Sequence, residues 1–250
     1  MNYIIFDKRQ EKPKLFNLKE TEQDVTLNAI KTFVAGKSEI KFTSPNITAI
    51  FIGKSDKEMK LAFEMYNQII KPKTLTGNTY MLNDDECIQF YDYLEHIQTS
   101  IIMIFSAVES LVNILIPNDY LYMKKYRGKL QNIGKKIIEK SCGTEEKLVE
   151  ILPKALNIKS PTQFNCWENF KLLKKLRDDI VHAKDDKAKV LIEELMNFKV
   201  FKLIESGKNL IENLKEVLPQ NNKFPILKET EPLIKEYYQN MEHAKFSRKM

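Results

Sequence analysis

The sequence predicts a mainly α protein: an elongated helical bundle carrying a small N-terminal α+β module. Three observations lead there. From Asn83 onward apolar residues recur at steps of three and four, the period of a helix face. Before about residue 80 the apolar runs are short, rich in β-branched residues and broken by turn formers. Seven glycines in 250 residues are too few for an α/β enzyme built on several glycine-rich turns. The expected domains are a module over 1–80 and a bundle over 81–250, with a core at about 84–218 and a C-terminal helix.

In chain order, Tyr3 to Phe6 reads as a short strand. Asp24 to Val34 reads as a helix with Gly36 just past its end. Glu39–Thr43 and Ile47–Ile52 flank the turn-forming Ser44-Pro45-Asn46 and read as a hairpin. Ser55 is placed to cap a helix that runs to Ile70 and stops at Pro72, with a loop or edge strand from Lys73 to Met81. Asn83-Asp84-Asp85-Glu86 then opens a long helix, a capping side chain followed by carboxylates that favour the positive end of the helix dipole. Its stripe runs from Ile88 through Ile97, Ile104 and Leu111 to Leu115, and Pro117 ends it. Further helices are expected over Tyr126–Lys140, from Thr144, over about Thr162 or Phe164 to Lys184, over Asp186–Leu218 and between Glu229 and His243. Trp167 falls on the apolar face with Phe170, Leu173 and Ile180, and so belongs to the core. The tail from Ala244 to Met250 is basic and expected to fray.

Composition narrows the chemistry. Three cysteines (Cys87, Cys142, Cys166) exclude a disulfide framework and a four-cysteine zinc site on arithmetic alone. With three histidines a His-rich metal site is not expected, and no cofactor is implied. His96 and His243 have no partner at useful spacing. The N-terminus lacks the basic flank of a signal peptide, and no uncharged apolar run approaches the ~20 residues of a membrane span. A cytoplasmic protein with no membrane partner is expected. The net charge of +6 permits a polyanionic partner without demanding one. Only four of the 40 basic residues are arginine, so an arginine here is more telling than a lysine.

One constellation carries chemistry. Arg177-Asp178-Asp179-Ile180-Val181-His182 is an Arg-x4-His motif behind an amphipathic lead-in, and Phe105-Ser106-Ala107-Val108-Glu109-Ser110-Leu111-Val112-Asn113 lies upstream on the long helix. This combination resembles the HEPN superfamily of helical bundles, in which a long helix carrying a Glu and often an Asn is paired with a later helix carrying Arg-x4-6-His. The resemblance covers roughly residues 84–218 and implies a HEPN-like bundle. Many members are metal-independent endoribonucleases, and their site forms where two protomers meet. The implied function is cleavage of single-stranded RNA or tRNA by a homodimer, in a microbial defence or toxin setting, with a cognate regulatory protein as a further partner. The family also contains inactive members, so the alternative is a non-catalytic dimerising scaffold that binds a partner protein or RNA. Some HEPN toxins carry a tyrosine two residues after the histidine that a partner nucleotidyltransferase modifies. Lys184 stands there in this chain, and that mode of control is not expected.

The residue chemistry is coherent by itself. RNA carries its own nucleophile in the 2′-hydroxyl. His182 can move protons near neutral pH, and Arg177 offers a permanent charge with a fork matching two phosphate oxygens. Asp178, four residues before His182, shares its helical face and can orient the imidazole. Five residues separate Arg177 from His182, about 140° on an ideal helix, so one helix does not aim both at one atom. A symmetric dimer relieves that mismatch. Glu109 and Asn113 share a face and are candidates for anchoring Arg177 or touching RNA. Arg177 can equally pair with Glu109 or Asp178 as a structural ion pair. Lys124, Lys125, Arg127 and Lys129 on one stretch, continued by Lys135, Lys136 and Lys140, and Lys171, Lys174 and Lys175 on another, are candidates for phosphate contacts or simply solvated faces. Tyr120, Tyr122 and Tyr126 can stack on unpaired bases or pack internally.

Overall fold

A computed structural model describes residues 9–11, 14–18, 23–27, 30–74, 76–126 and 128–218. The strand over Tyr3–Phe6, the helix between Glu229 and His243, the basic tail and Arg127 lie outside the described residues. The chain is mostly helical, as its periodicity predicts, with three small two-stranded sheets among the described residues. The described residues divide into two compact units, 9–49 and 50–218. Residues 50–74 therefore belong with the long helix.

The first unit holds two antiparallel hairpins. β1 (Lys14–Leu18) pairs with β2 (Gln23–Leu27), and β3 (Ile30–Ala35) with β4 (Ser38–Thr43). The helix expected over Asp24–Val34 is thus replaced by strands. Ile30, Thr32 and Val34 alternate with period two, and such β-branched residues fit a pleated surface. Gly36 (φ +63°) supplies the left-handed residue that the two-residue turn needs. Phe33 and Phe42 stack diagonally across the pair, centroids 4.3 Å apart.

The hairpin expected around Ser44-Pro45-Asn46 is also absent. Ile47 to Ile52 are helical, within α1 (Ile47–Met65), because the Asn46 side chain accepts the Ala49 N–H at 3.0 Å and caps that helix. Ser55 lies inside α1, not at its start. Its hydroxyl donates to the Ser100 carbonyl, and the Ser100 hydroxyl donates back to the Ser55 carbonyl. A widened π turn over Tyr66–Ile70 leads into α2 (Lys71–Thr74), so Pro72 does not stop the helix. Widening the turn relieves the clash between a proline ring and the carbonyl four residues before it.

α3 (Asp84–Leu115) spans 32 residues and opens on a full capping box. Asn83 accepts the Glu86 N–H, and Glu86 accepts the Asn83 N–H. It is the one described helix long and apolar enough to cross a membrane, and half of its apolar window is buried within the protein. The helix expected over Tyr126–Lys140 is instead a hairpin, β5 (Leu121–Tyr126) with β6 (Lys129–Gly134), followed by α4 (Lys135–Ser141). Gly128 (φ +81°) turns the chain there, and Tyr122 and Ile133 pair on the buried side. α5 (Thr144–Glu146), a π turn over Lys147–Ile151 and α6 (Leu152–Leu156) form one continuous helical rod, again with the widened turn ahead of a proline, Pro153.

α7 (Trp167–Val181) ends three residues before the expected Lys184. The single helix expected over Asp186–Leu218 is broken into α8 (Ala188–Met196) and α9 (Lys199–Val217). Asn197 is extended at the break, its side chain accepts the Lys199 N–H, and the Leu195 carbonyl accepts the Tyr93 hydroxyl.

The core forms where α3, α7 and α9 meet. Ile97, Ile101, Ile104 and Val108 of α3 are fully buried, as are Leu173 of α7 and Ile204 and Leu210 of α9. Phe105 and Phe170 stack with near-parallel rings 5.9 Å apart. Gly207 lets the backbone of α9 come close: a Cβ there would lie 2.7 Å from Ile104 Cγ1 and 3.2 Å from Leu173 Cδ2. Gly207→Ala should therefore destabilise the bundle by about 1–3 kcal/mol, overpacking outweighing the better helix propensity of alanine. A urea titration checks this, and an unchanged or raised midpoint would show that the three helices are not packed at this distance.

Candidate functional site

Arg177 lies on the last turns of α7 and reaches towards α3. Its guanidinium sits over the Phe105 ring, 4.5 Å from the centroid, a favourable position for a cation. Nη1 donates to Asp178 Oδ1 at 2.9 Å, and Nη2 lies 3.8 Å from Glu109 Oε2. Two carboxylates and one aromatic face thus hold a half-exposed guanidinium.

Asp178 binds Arg177 with one oxygen and accepts Lys174 Nζ with the other at 3.1 Å. Burial pushes its carboxyl up, but the hydrogen bonds and charges of Lys174 and Arg177 together hold it below the ordinary carboxylate range. Neither oxygen engages His182.

His182 is where α7 stops. Its N–H closes the last turn on the Asp178 carbonyl at 3.0 Å, and its backbone (φ −115°, ψ 38°) has left the helix. The ring is exposed, makes no hydrogen bond among the described residues, and borders a hollow of about 460 Å³ with Lys175, Asp179, Lys184, Lys187 and Glu194. Asp178, which accepts from Arg177, lines this hollow too, and no direct bond joins Arg177 to His182 among the described residues.

Glu109 is held from its other side by Thr144, whose hydroxyl donates to Oε1 at 3.2 Å. Asn113 does not approach Arg177. Its Oδ1 accepts Lys147 Nζ at 2.9 Å, and the same ammonium donates to the Glu139 carbonyl at 3.0 Å. Lys147 is fully buried. Burial pulls its ammonium below the ordinary lysine range, which nearby Glu109 and other acidic groups only partly offset. Neither Thr144 nor Lys147 stands out in the sequence, where Thr144 reads only as the start of a helix with Glu145 and Glu146 in its first turn. The available signal is Pro153, whose preceding π turn begins at Lys147.

The basic residues divide. Lys124 bonds Glu146 at 2.6 Å and the Ser141 carbonyl, Lys171 pairs with Glu168 at 2.8 Å, and Lys175 lies 3.7 Å from Glu194. Lys125 and Lys129 stand exposed on the β5–β6 hairpin. Lys135 donates to the Ile116 carbonyl at 2.7 Å. Tyr122 is buried and bonded to Glu150, so it packs internally and is not free to stack on a base. His96, for which the sequence suggests no partner, is bonded to Glu58.

No family model, curated protein or solved structure matches the chain.

Lys147→Met removes the donor from two part-buried acceptors, Asn113 Oδ1 and the Glu139 carbonyl, at a total cost of about 1–3 kcal/mol. Its pH dependence is the sharper check. With its ammonium held below the ordinary value of 10.5, the folded chain binds fewer protons than the unfolded one just beneath that value. Wild-type stability contributed by Lys147 therefore rises with pH through that window. In urea titrations the deficit of the variant should widen as pH rises from neutral towards 10. A deficit that stays constant would place the ammonium in solvent, and one that narrows would mean that the neighbouring acidic groups outweigh its burial.

Proposed function

We propose that the protein is a metal-independent endoribonuclease of HEPN type, a cytoplasmic homodimer acting on single-stranded RNA or tRNA in a microbial defence or toxin setting. One observation carries this reading. Glu109 and Arg177, far apart in sequence and each belonging to one of the two motif segments, meet over Phe105, while His182 remains exposed and unbonded. The guanidinium is oriented, and the imidazole is free to exchange protons.

In the proposed reaction the 2′-hydroxyl attacks the adjacent phosphorus and expels the 5′-oxygen, leaving a 2′,3′-cyclic phosphate. His182 moves a proton to or from the reacting oxygens, and Arg177 bears against the negative charge that grows on the phosphoryl oxygens. RNA supplies the nucleophile, so no step calls for a metal. The two groups make no direct bond within one chain, and a second copy would supply the missing partner at each site. Leu172, Val181, Val190 and Ile192, exposed around the motif, favour such an interface. Lys171, Lys174 and Lys175 would lie along the phosphate track leading to Arg177.

The engagement of Arg177 by two carboxylates favours a second reading, in which the arginine is structural and the protein is a dimerising scaffold for a protein or RNA partner. Three measurements separate the two. Light scattering should give a dimer, and a monomer at high concentration would count against both. Cleavage of RNA should survive EDTA, yield 2′,3′-cyclic phosphate ends and fail where the cut site is 2′-deoxy. His182→Ala should lower the rate roughly 10²–10⁴-fold with stability changed by no more than about 1 kcal/mol, because the ring is exposed. Arg177→Lys keeps the charge, loses the fork and should also fall well short of wild type. A folded, dimeric His182→Ala protein with full biological effect leaves the scaffold standing.

A further inference from the structure

On the bundle a second hollow, of about 530 Å³, opens beside Glu109. Ser106, Glu109, Ser110 and Asn113 line it from α3, three and four residues apart and so on one face, with Phe51 of α1 and Lys135 among its other walls. Three features give it a defined chemistry. The Glu109 carboxylate has acceptor capacity beyond the Thr144 hydroxyl and the distant Arg177, since each oxygen can accept twice. The Asn113 amide has a fixed orientation. An ammonium can only donate, so the Lys147 contact assigns the bonded atom as oxygen, and the NH₂ group is left without a partner among the described residues. Phe51 adds a partly exposed aromatic side chain to the lining. The hollow thus presents an anionic acceptor and a neutral donor one helical turn apart, beside a ring.

We infer that this hollow is a recognition pocket for a single unstacked guanine base of RNA, with Glu109 and Asn113 reading its edge and Phe51 stacking on its face. Guanine offers two adjacent donors, N1–H and the 2-amino group, which match the two oxygens of a carboxylate, and its O6 accepts from the Asn113 NH₂. Adenine and cytosine set one amino group beside a ring nitrogen whose lone pair would face the carboxylate, and uracil offers one N–H. Unpaired bases are commonly recognised by this combination of stacking and edge contacts. The inference rests on the endoribonuclease reading only in expecting RNA as the ligand. Glu109 links the two places, because its carboxylate borders the hollow and lies 3.8 Å from Arg177. The preferred guanine would therefore belong to a nucleotide close to the scissile phosphate.

The test uses the full-length His182→Ala protein and labelled short oligoadenylates, measured by fluorescence anisotropy. One guanine in place of a central adenine should tighten binding about tenfold. Inosine, which lacks the 2-amino group, should lose most of that gain. Asn113→Asp keeps an acceptor for Lys147 and so retains the fold, but turns an oxygen towards O6 and should abolish the preference. Phe51→Ala, at a partly exposed position, should weaken the guanine oligomer several-fold. Equal affinity for all three oligomers, or no binding to any, overturns the pocket. Cleavage by wild type without guanine-dependent binding sinks the pocket and keeps the nuclease. Guanine-dependent binding without cleavage keeps the pocket and sinks the nuclease.

Discussion

The bundle depends on the close approach of α9 to α3 and α7 at Gly207. With no side chain there, Ile104 and Leu173 both press against the α9 backbone, and Ser206 and Gly207 are both buried at the contact. Interiors are packed like crystals, so the position of one helix fixes the others to within fractions of an ångström. The next residue along α3 from Ile104 is Phe105, which stacks on Phe170 and carries the Arg177 guanidinium on its ring. Glu109 follows one turn later. The relation between Arg177 and Glu109 is therefore set by a glycine contact that belongs to neither motif segment. Displacing α9 would shift the α3–α7 spacing, and a long, flexible arginine would lose its carboxylate before the core came apart.

A second set of contacts ties the rod formed by α5 and α6 to the same stretch of α3. Thr144 holds Glu109, and Lys147 holds Asn113. Removing an ammonium from water is costly, and it is tolerated where the buried charge keeps its hydrogen bonds. Lys147 finds two acceptors because the helix widens at Lys147–Ile151, ahead of Pro153. A regular α-helix would bring the proline ring against the carbonyl four residues earlier. The same device recurs before Pro72. Pro153 thus has an effect well away from its own position: it shifts the register of the preceding turn and lets a lysine enter the polar layer behind the site.

Local signals were legible where capping and propensity agreed, and signals that depend on distant partners were not. Asn83 and Glu86 cap α3 through contacts between neighbours, and Pro117 lies just beyond its end, so both limits could be read directly. Ile47–Ile52 carries β-branched residues and resembles a strand, yet the Asn46 cap makes it helical. Propensity differs by tenths of a kcal/mol per residue, while a cap contributes about 1 kcal/mol. The break at Asn197 likewise depends on Tyr93, whose hydroxyl reaches the Leu195 carbonyl across more than a hundred residues. At the site the Arg-x4-His spacing and the Glu-x3-Asn spacing were visible in one dimension. The pairing of Arg177 with Glu109 or Asp178 was legible as well, whereas nothing in the local sequence assigns Asn113 to Lys147.

The divergence of Arg177 and His182 follows from where α7 ends. Had α7 continued to Lys184, the two side chains would leave the helix about 140° apart, fixed by helical geometry alone. Instead His182 lies at the end of the last turn, its N–H bonded back to Asp178 while its own backbone has turned out of the helix. Arg177, five residues earlier, is drawn inward by Phe105 and Glu109. A lysine at 177 would place one charge over the ring but could not reach Asp178 and Glu109 with separate donors from a planar fork, which accords with an arginine in a chain that otherwise prefers lysine. One group is thus held still by three contacts while the other is held by backbone alone. In the proposed chemistry that division assigns charge stabilisation, which gains from a fixed donor, to Arg177, and proton transfer, which needs an accessible imidazole, to His182.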